Sequence, residues 1–175
     1  MIFRFRAPDS SAATAERLYE ALVARARTPI FHTGFAVPDT MDGRFDLLTL
    51  HAFLVMDALK HEETAGADLG PRLATLIFAG FEDALRELGV GDIGLSRRIK
   101  AMADAFYGRL AAYGAARSEA DLVAAIERNL YRGNAAHARE AARLAHYMES
   151  SRAALRAEPQ ALLQGRAIFG PLPST

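Results

Sequence analysis

Apolar residues recur at three- and four-residue intervals along almost the whole chain, the period of an amphipathic helix, and no run reads convincingly as a strand. Leu18, Ala21, Leu22 and Ala26 form the stripe of a first helix, about Ser11 to Arg27. Ser10 or Ser11 caps it, and Thr28-Pro29 ends it, because the residue before a proline is pushed out of the helical region. A second helix, about Arg44 to His61, is apolar nearly all round, which predicts a buried central position. The third spans about Gly70 to Leu88 and stops at Gly89, a C′ glycine. A fourth follows from about Ser96 to Tyr113. The fifth runs from Ser118, with Asp121 completing a weak capping box, to Tyr131. Asn134 caps a sixth, reaching about Ala157, and a short helical turn precedes Gln164-Gly165.

The connection 28–43 is longer than most in compact domains. It carries Ile30, Phe31, Phe35 and Val37, so it is expected to pack down, and Asp42 is the expected N-cap of the central helix. The pattern therefore predicts an all-α fold: one compact domain of about six helices with a long ordered loop between the first two. Residues 1–10 form an N-terminal tail, 11–165 the helical domain and 166–175 an irregular C-terminal tail.

Composition supports this picture. Alanine makes up about a fifth of the chain, and 51% hydrophobic with 24% charged residues is ordinary for a soluble globular protein. Net charge is zero, but its distribution is uneven. Residues 1–95 hold 9 basic and 14 acidic side chains, whereas 96–175 hold 12 and 7. Such asymmetry can turn the basic half toward a polyanion or an acidic partner. The absence of cysteine excludes disulfides, thiolate metal sites and a cysteine nucleophile. Met1-Ile-Phe-Arg-Phe-Arg-Ala-Pro has no apolar signal core. The longest apolar runs, near Leu47–Met56 and Leu73–Phe81, reach about half of the roughly 20 residues a membrane span needs. A soluble, cytoplasmic protein is expected.

Gly89-Val-Gly-Asp-Ile-Gly94 matches the glycine spacing of a dinucleotide loop, but that loop needs a strand before it. Here a helix precedes it, and Asp92 would oppose phosphate, so a helix–helix turn is the better reading. No two of the five histidines stand three or four residues apart, so no helix offers a metal pair. His51, among Leu47, Leu54 and Ala58, reads as a hydrogen-bonded core histidine. Asp39 and Asp42 suit turn and cap roles. With no nucleophile motif, Walker loop or metal motif, the chain is expected to be no enzyme and to need no cofactor or metal.

The fourth helix carries the chain's most distinctive chemistry. Ile99, Met102, Ala103, Phe106, Leu110 and Tyr113 share one stripe, and Arg97, Lys100, Asp104 and Gly108 lie opposite. Tyr107 lies on one flank, with Arg98 and Arg109 on the other. An ordinary amphipathic helix with Lys100 and Asp104 paired explains most of this, but not Gly108, which costs up to about 1 kcal/mol inside a helix. A closely approaching backbone, from this chain or a partner, would account for it.

Two segments together resemble the ubiquinol–cytochrome c chaperone family. One is Pro29-Ile-Phe-His-Thr-Gly-Phe-Ala-Val-Pro-Asp-Thr-Met-Asp-Gly-Arg-Phe-Asp-Leu-Leu-Thr-Leu-His51; the other runs from Leu88-Gly-Val-Gly-Asp-Ile-Gly through Met102-Ala-Asp-Ala-Phe-Tyr-Gly-Arg109. The similarity extends from about Arg17 to Tyr147. It implies a non-enzymatic helical assembly factor for the cytochrome bc complex, respiratory complex III, that holds newly made cytochrome b. Mitochondrial relatives act near the ribosomal exit with a small partner protein. The chain has His32 and Phe53 where relatives often place tyrosine or tryptophan. Its lack of a targeting extension fits a bacterial member.

The resemblance and the residues together point to Phe106, Tyr107 and Gly108 for close client contact. Arg97, Arg98, Lys100 and Arg109 would supply the electrostatics, and Asp39, Asp42 and Arg44 would structure the loop. The central helix and the Ile99–Tyr113 stripe are expected to line an apolar client groove. Expected partners are cytochrome b, the ribosome near its exit, a small partner protein or a second copy, and the membrane surface at the cytoplasmic face. The alternative is a helical ribosome- or nucleic-acid-binding module that uses the basic half.

Overall fold

The protein is described by a computed structural model over residues 10–62 and 66–172. Its helices are α1 (Ser10–Ala26), α2 (Ile30–Thr33), α3 (Met41–Leu59), α4 (Leu69–Glu87), α5 (Asp92–Ala115), α6 (Glu119–Leu130), α7 (Ala138–Ala157) and α8 (Pro159–Leu163). A short 3₁₀ turn, Ala135–His137, leads into α7. No strand occurs among the described residues. The six expected long helices are all present, and among the described residues α2 lies between the first two and α8 follows the last.

Helix α3 is the axis. Leu47, Leu50, Ala52, Leu54 and Val55 are fully buried, and α1, α4, α5, α6 and α7 all pack against it. A helix apolar on every side can satisfy itself only in this position. Helix α1 lies along α4 as well, and α6 pairs with α7 as a hairpin.

The 28–43 connection is built into the core. Phe31, Phe35 and Val37 are buried, and the Tyr131 hydroxyl donates to the Phe35 carbonyl at 2.7 Å. The guanidinium of Arg143 stacks over the Phe35 ring at 4.3 Å. Thr40 caps α3, its side chain accepting from the Gly43 N–H at 3.2 Å. This corrects the expected role of Asp42, which sits exposed in the first turn, where its charge complements the helix dipole. A Cβ on Gly43 would stand 1.9 Å from the Pro38 carbonyl oxygen, so only glycine lets the loop cross the helix here.

The glycine pattern resolves as a helix junction. Gly89, at φ +78°, donates to the Arg86 carbonyl and Val90 to the Leu85 carbonyl, a Schellman ending for α4. Gly91 then caps α5, which starts at Asp92, four residues earlier than expected. Ser118 and Asp121 form a complete capping box on α6. Asn134 caps the 3₁₀ turn rather than α7 itself.

Residues 166–172 are irregular, yet they are strapped onto the helices. The Gly170 N–H donates to Ser151 Oγ at 3.1 Å, Arg25 donates to the Gly170 carbonyl, and Phe169 meets the His51 ring edge-on at 5.4 Å. The N-terminal tail, apart from Ser10, lies outside the described residues.

Candidate functional site: the outer face of helix α5

Two buried polar nodes on α3 set the position of everything outside them. In the first, Asp46 is almost wholly buried and receives Arg109 of α5 at 2.9 Å and Arg132 of the α6–α7 turn at 2.8 Å. Burial raises the Asp46 pKa, and the two guanidinium charges pull it back. Arg109 also stacks over Phe45 at 5.1 Å. Arg132 adopts a left-handed backbone (φ +56°), a conformation that non-glycine residues rarely adopt. The Asp46 bond and a bond from its own guanidinium to the Asn129 carbonyl hold it there.

The second node is built on a neutral histidine. His51 Nδ1 donates to the Leu47 carbonyl at 2.8 Å, which leaves Nε2 to accept from the Tyr147 hydroxyl at 2.9 Å. That hydroxyl accepts from Arg25 Nε at 2.8 Å. Burial, above all, lowers the His51 pKa to about 4; the Leu47 bond opposes the shift and the Arg25 charge adds to it. The node ties α1, α3 and α7 together.

Helix α5 divides sharply around these anchors. Its inner stripe belongs to the core: Phe106 meets Phe78 at 5.3 Å, and Tyr113 meets Phe53 at 5.5 Å, both residues fully buried. The expectation that the stripe lines a groove therefore holds for Leu110 but not for Phe106 and Tyr113, which are sealed in the core. Phe106 is also inaccessible to a partner, and Arg109 is committed to Asp46. Both position α5 instead of presenting it.

The outer face keeps Arg97, Arg98, Lys100, Tyr107 and Gly108 exposed. Among the described residues, Lys100 and Asp104 form no ion pair; they are free side chains. Among the described residues, no atom outside the local helix lies within 4 Å of a Cβ built on Gly108, so none of them explains that glycine. Beyond it, Tyr107, Leu110, Ala111 and Gly114 form one wall of an open groove of about 930 Å³. Gly66, Gly70, Pro71 and Ala74 belong to the opposite wall, Met56 and Leu59 also line the groove, and among the described residues Lys60 is its single charged lining residue.

Asp39 and Arg44 sit away from this face. They pair at 2.7 Å across the start of α3, a bond that holds the Asp39 carboxyl below its usual range. They border a second depression, of about 740 Å³, between α1, α3 and α4, with Phe45, Leu48 and Phe81 among its apolar lining. The sequence reading missed Asp46, although a carboxylate inside an otherwise apolar run was a visible signal. It expected an apolar groove beside the central helix but not the wall of small residues, Gly66, Gly70, Pro71 and Ala74, that faces α5.

Among the described residues no cluster of three potential ligands could hold a metal ion, and no helix is long and apolar enough to cross a membrane. The fold and its outer face define an all-helical protein whose distinctive surface feature is an open groove beside α5. The chain belongs to the ubiquinol-cytochrome C chaperone family, whose profile matches residues 33–169. It is 25% identical over 118 residues to ubiquinol-cytochrome-c reductase complex assembly factor 1 of Xenopus laevis. That alignment covers 66% of this chain and 59% of the relative, so the chain matches less than two thirds of that protein's length. It is also similar to the crystal structure of the Cbp3 homolog from Brucella abortus, with 37% identity, a TM-score of 0.82, and coverage of 93% of this chain and 91% of that one.

Proposed function

We propose that the protein is a non-enzymatic assembly chaperone that binds newly made cytochrome b and supports assembly of the cytochrome bc complex. The observation that carries this reading is the outer face of α5, where Tyr107, half exposed although its ring also meets Phe78 and Phe106, and Gly108 stand beside a groove that, among the described residues, is lined by small and apolar residues and a single charge. An apolar client helix fits such a surface, because small side chains let two helix backbones approach closely. Family membership supplies the process in which that client is met. Tyr107 and Gly108 make the close contact. Arg97, Arg98 and Lys100 steer the client or the ribosome, while Phe106 and Arg109 support the helix from within.

On this reading the protein works in the cytoplasm or at the inner face of the membrane, with a small partner protein or a second copy completing the complex. The test is gene deletion followed by measurement of assembled, haem-loaded cytochrome b. A fall is expected; unchanged levels would sink the proposal. The runner-up, a ribosome- or nucleic-acid-binding module, draws on the unpaired cations of α5. It requires RNA binding with a steep salt dependence.

A further inference from the structure

The α4–α5 turn has a property that client binding in the groove does not use. Ile93 is 95% exposed and Leu88 is 64% exposed, with Val90 half-buried between them. Exposed aliphatic side chains clustered at the end of a helical hairpin would gain from an apolar environment outside the chain. The turn is held in shape without them: Gly89 and Val90 close α4, and Arg86 bridges Glu82 at 2.8 Å and Asp92 at 3.1 Å.

Below the tip, Ile93, Arg97 and Lys100 share one face of α5 at the spacing i, i+4, i+7, and Arg98 lies on its flank. Among the described residues, none of the three cations has an intramolecular ion pair or side-chain hydrogen bond. The acidic groups nearby are Asp104 further along the stripe, Asp83 and Glu87 on α4, and the Glu82 and Asp92 already engaged by Arg86. Unengaged cations next to protruding aliphatic side chains match an anionic bilayer surface, with apolar groups below the headgroups and cations among them. An RNA surface would match the cations but gives Leu88 and Ile93 nothing to bury against.

We propose that the α4–α5 turn is a membrane-contact tip. Leu88 and Ile93 enter the interfacial layer of an anionic bilayer while Arg97, Arg98 and Lys100 engage lipid phosphates. The inference does not rest on cytochrome b being the client, and its test needs no complex III.

The purified full chain is floated with vesicles of phosphatidylcholine alone, or of equal parts phosphatidylcholine and phosphatidylglycerol. Binding to the anionic vesicles is expected, weaker on the neutral ones. The variant Leu88→Asp/Ile93→Asp should lose it, and Arg97→Glu/Arg98→Glu/Lys100→Glu should lower it by at least about tenfold. All these side chains are exposed, and circular dichroism checks that both variants stay folded. Failure of the parent protein to float overturns the proposal, as does undiminished binding by either variant. Binding to a single-stranded RNA probe that is lost with the cations but kept in the aspartate variant assigns this face to nucleic acid instead.

Discussion

Gly43 and Gly108 are both helix glycines, and they stand in opposite surroundings. Around Gly43 the fold accounts for every unusual residue. Pro38 crosses where a Cβ would be, Thr40 caps the helix, and Asp39 reaches Arg44. Around Gly108 the fold accounts for nothing on the outer side. Among the described residues the glycine meets nothing, Tyr107 is 53% exposed, and Arg97, Arg98 and Lys100 earlier on the same helix are unpaired. A residue that weakens local structure and gains no internal contact in return is the better pointer to a partner. The 28–43 segment is therefore scaffold and the outer face of α5 is surface, although both belong to the same sequence resemblance.

The contrast can be broken or sharpened by experiment. The largest effect should come from the inner anchor of α5. Asp46→Ala leaves Arg109 buried without its counter-ion and should destabilise the protein by about 3–5 kcal/mol in urea unfolding. A loss below about 1 kcal/mol would show that α5 is not anchored through this pair.

Acid should be nearly as effective against the second anchor. The His51 pKa is about 4 in the folded protein and 6.5 in its unperturbed form, so the unfolded chain takes up a proton that the native node refuses. Stability from this group is fully present above pH 6.5 and falls as pH drops toward 4, by about 3 kcal/mol. Denaturation at a series of pH values should show this slope, and His51→Gln should flatten it.

On the scaffold side, Gly43→Ala forces Pro38 away from α3 and should cost about 1–3 kcal/mol. On the surface side the same chemical change should have the opposite sign. Gly108→Ala should stabilise the fold by up to about 1 kcal/mol while weakening photocrosslinking of cytochrome b from position 107. A variant that is stabilised and crosslinks normally would leave Gly108 without a partner role.

The helices could be read from the sequence because their signals are local. The all-round apolar run of α3, the Ser118 cap and the proline after α1 each act within a few residues. The start of α5 was misjudged because Gly91, Asp92 and Gly94 look like a linker, whereas Gly91 is a cap and Asp92 a favourable first-turn charge. Of the residues proposed for contact, those with exposed positions on α5 could be named from periodicity. Periodicity alone could not show that Arg109 turns inward to Asp46, or that Phe106 is sealed by Phe78, since both depend on segments far away in the chain. The groove is the extreme case. Its walls come from α3, the start of α4 and the end of α5, and only the tertiary fold brings them together.

The strap at residues 164–170 also sets an order of events. Arg17 donates to the Gln164 carbonyl and Arg25 to the Gly170 carbonyl, contacts 147 and 145 residues apart in the chain. During synthesis α1 emerges early, but these two arginines must wait for the strap before their partners exist. Loop closure over such a distance is slow relative to helix formation, so α1 docks provisionally and is fastened last. The contacts that fasten α1 therefore reach across almost the whole described chain, and α1 stays loosely held until residues 164–170 are in place.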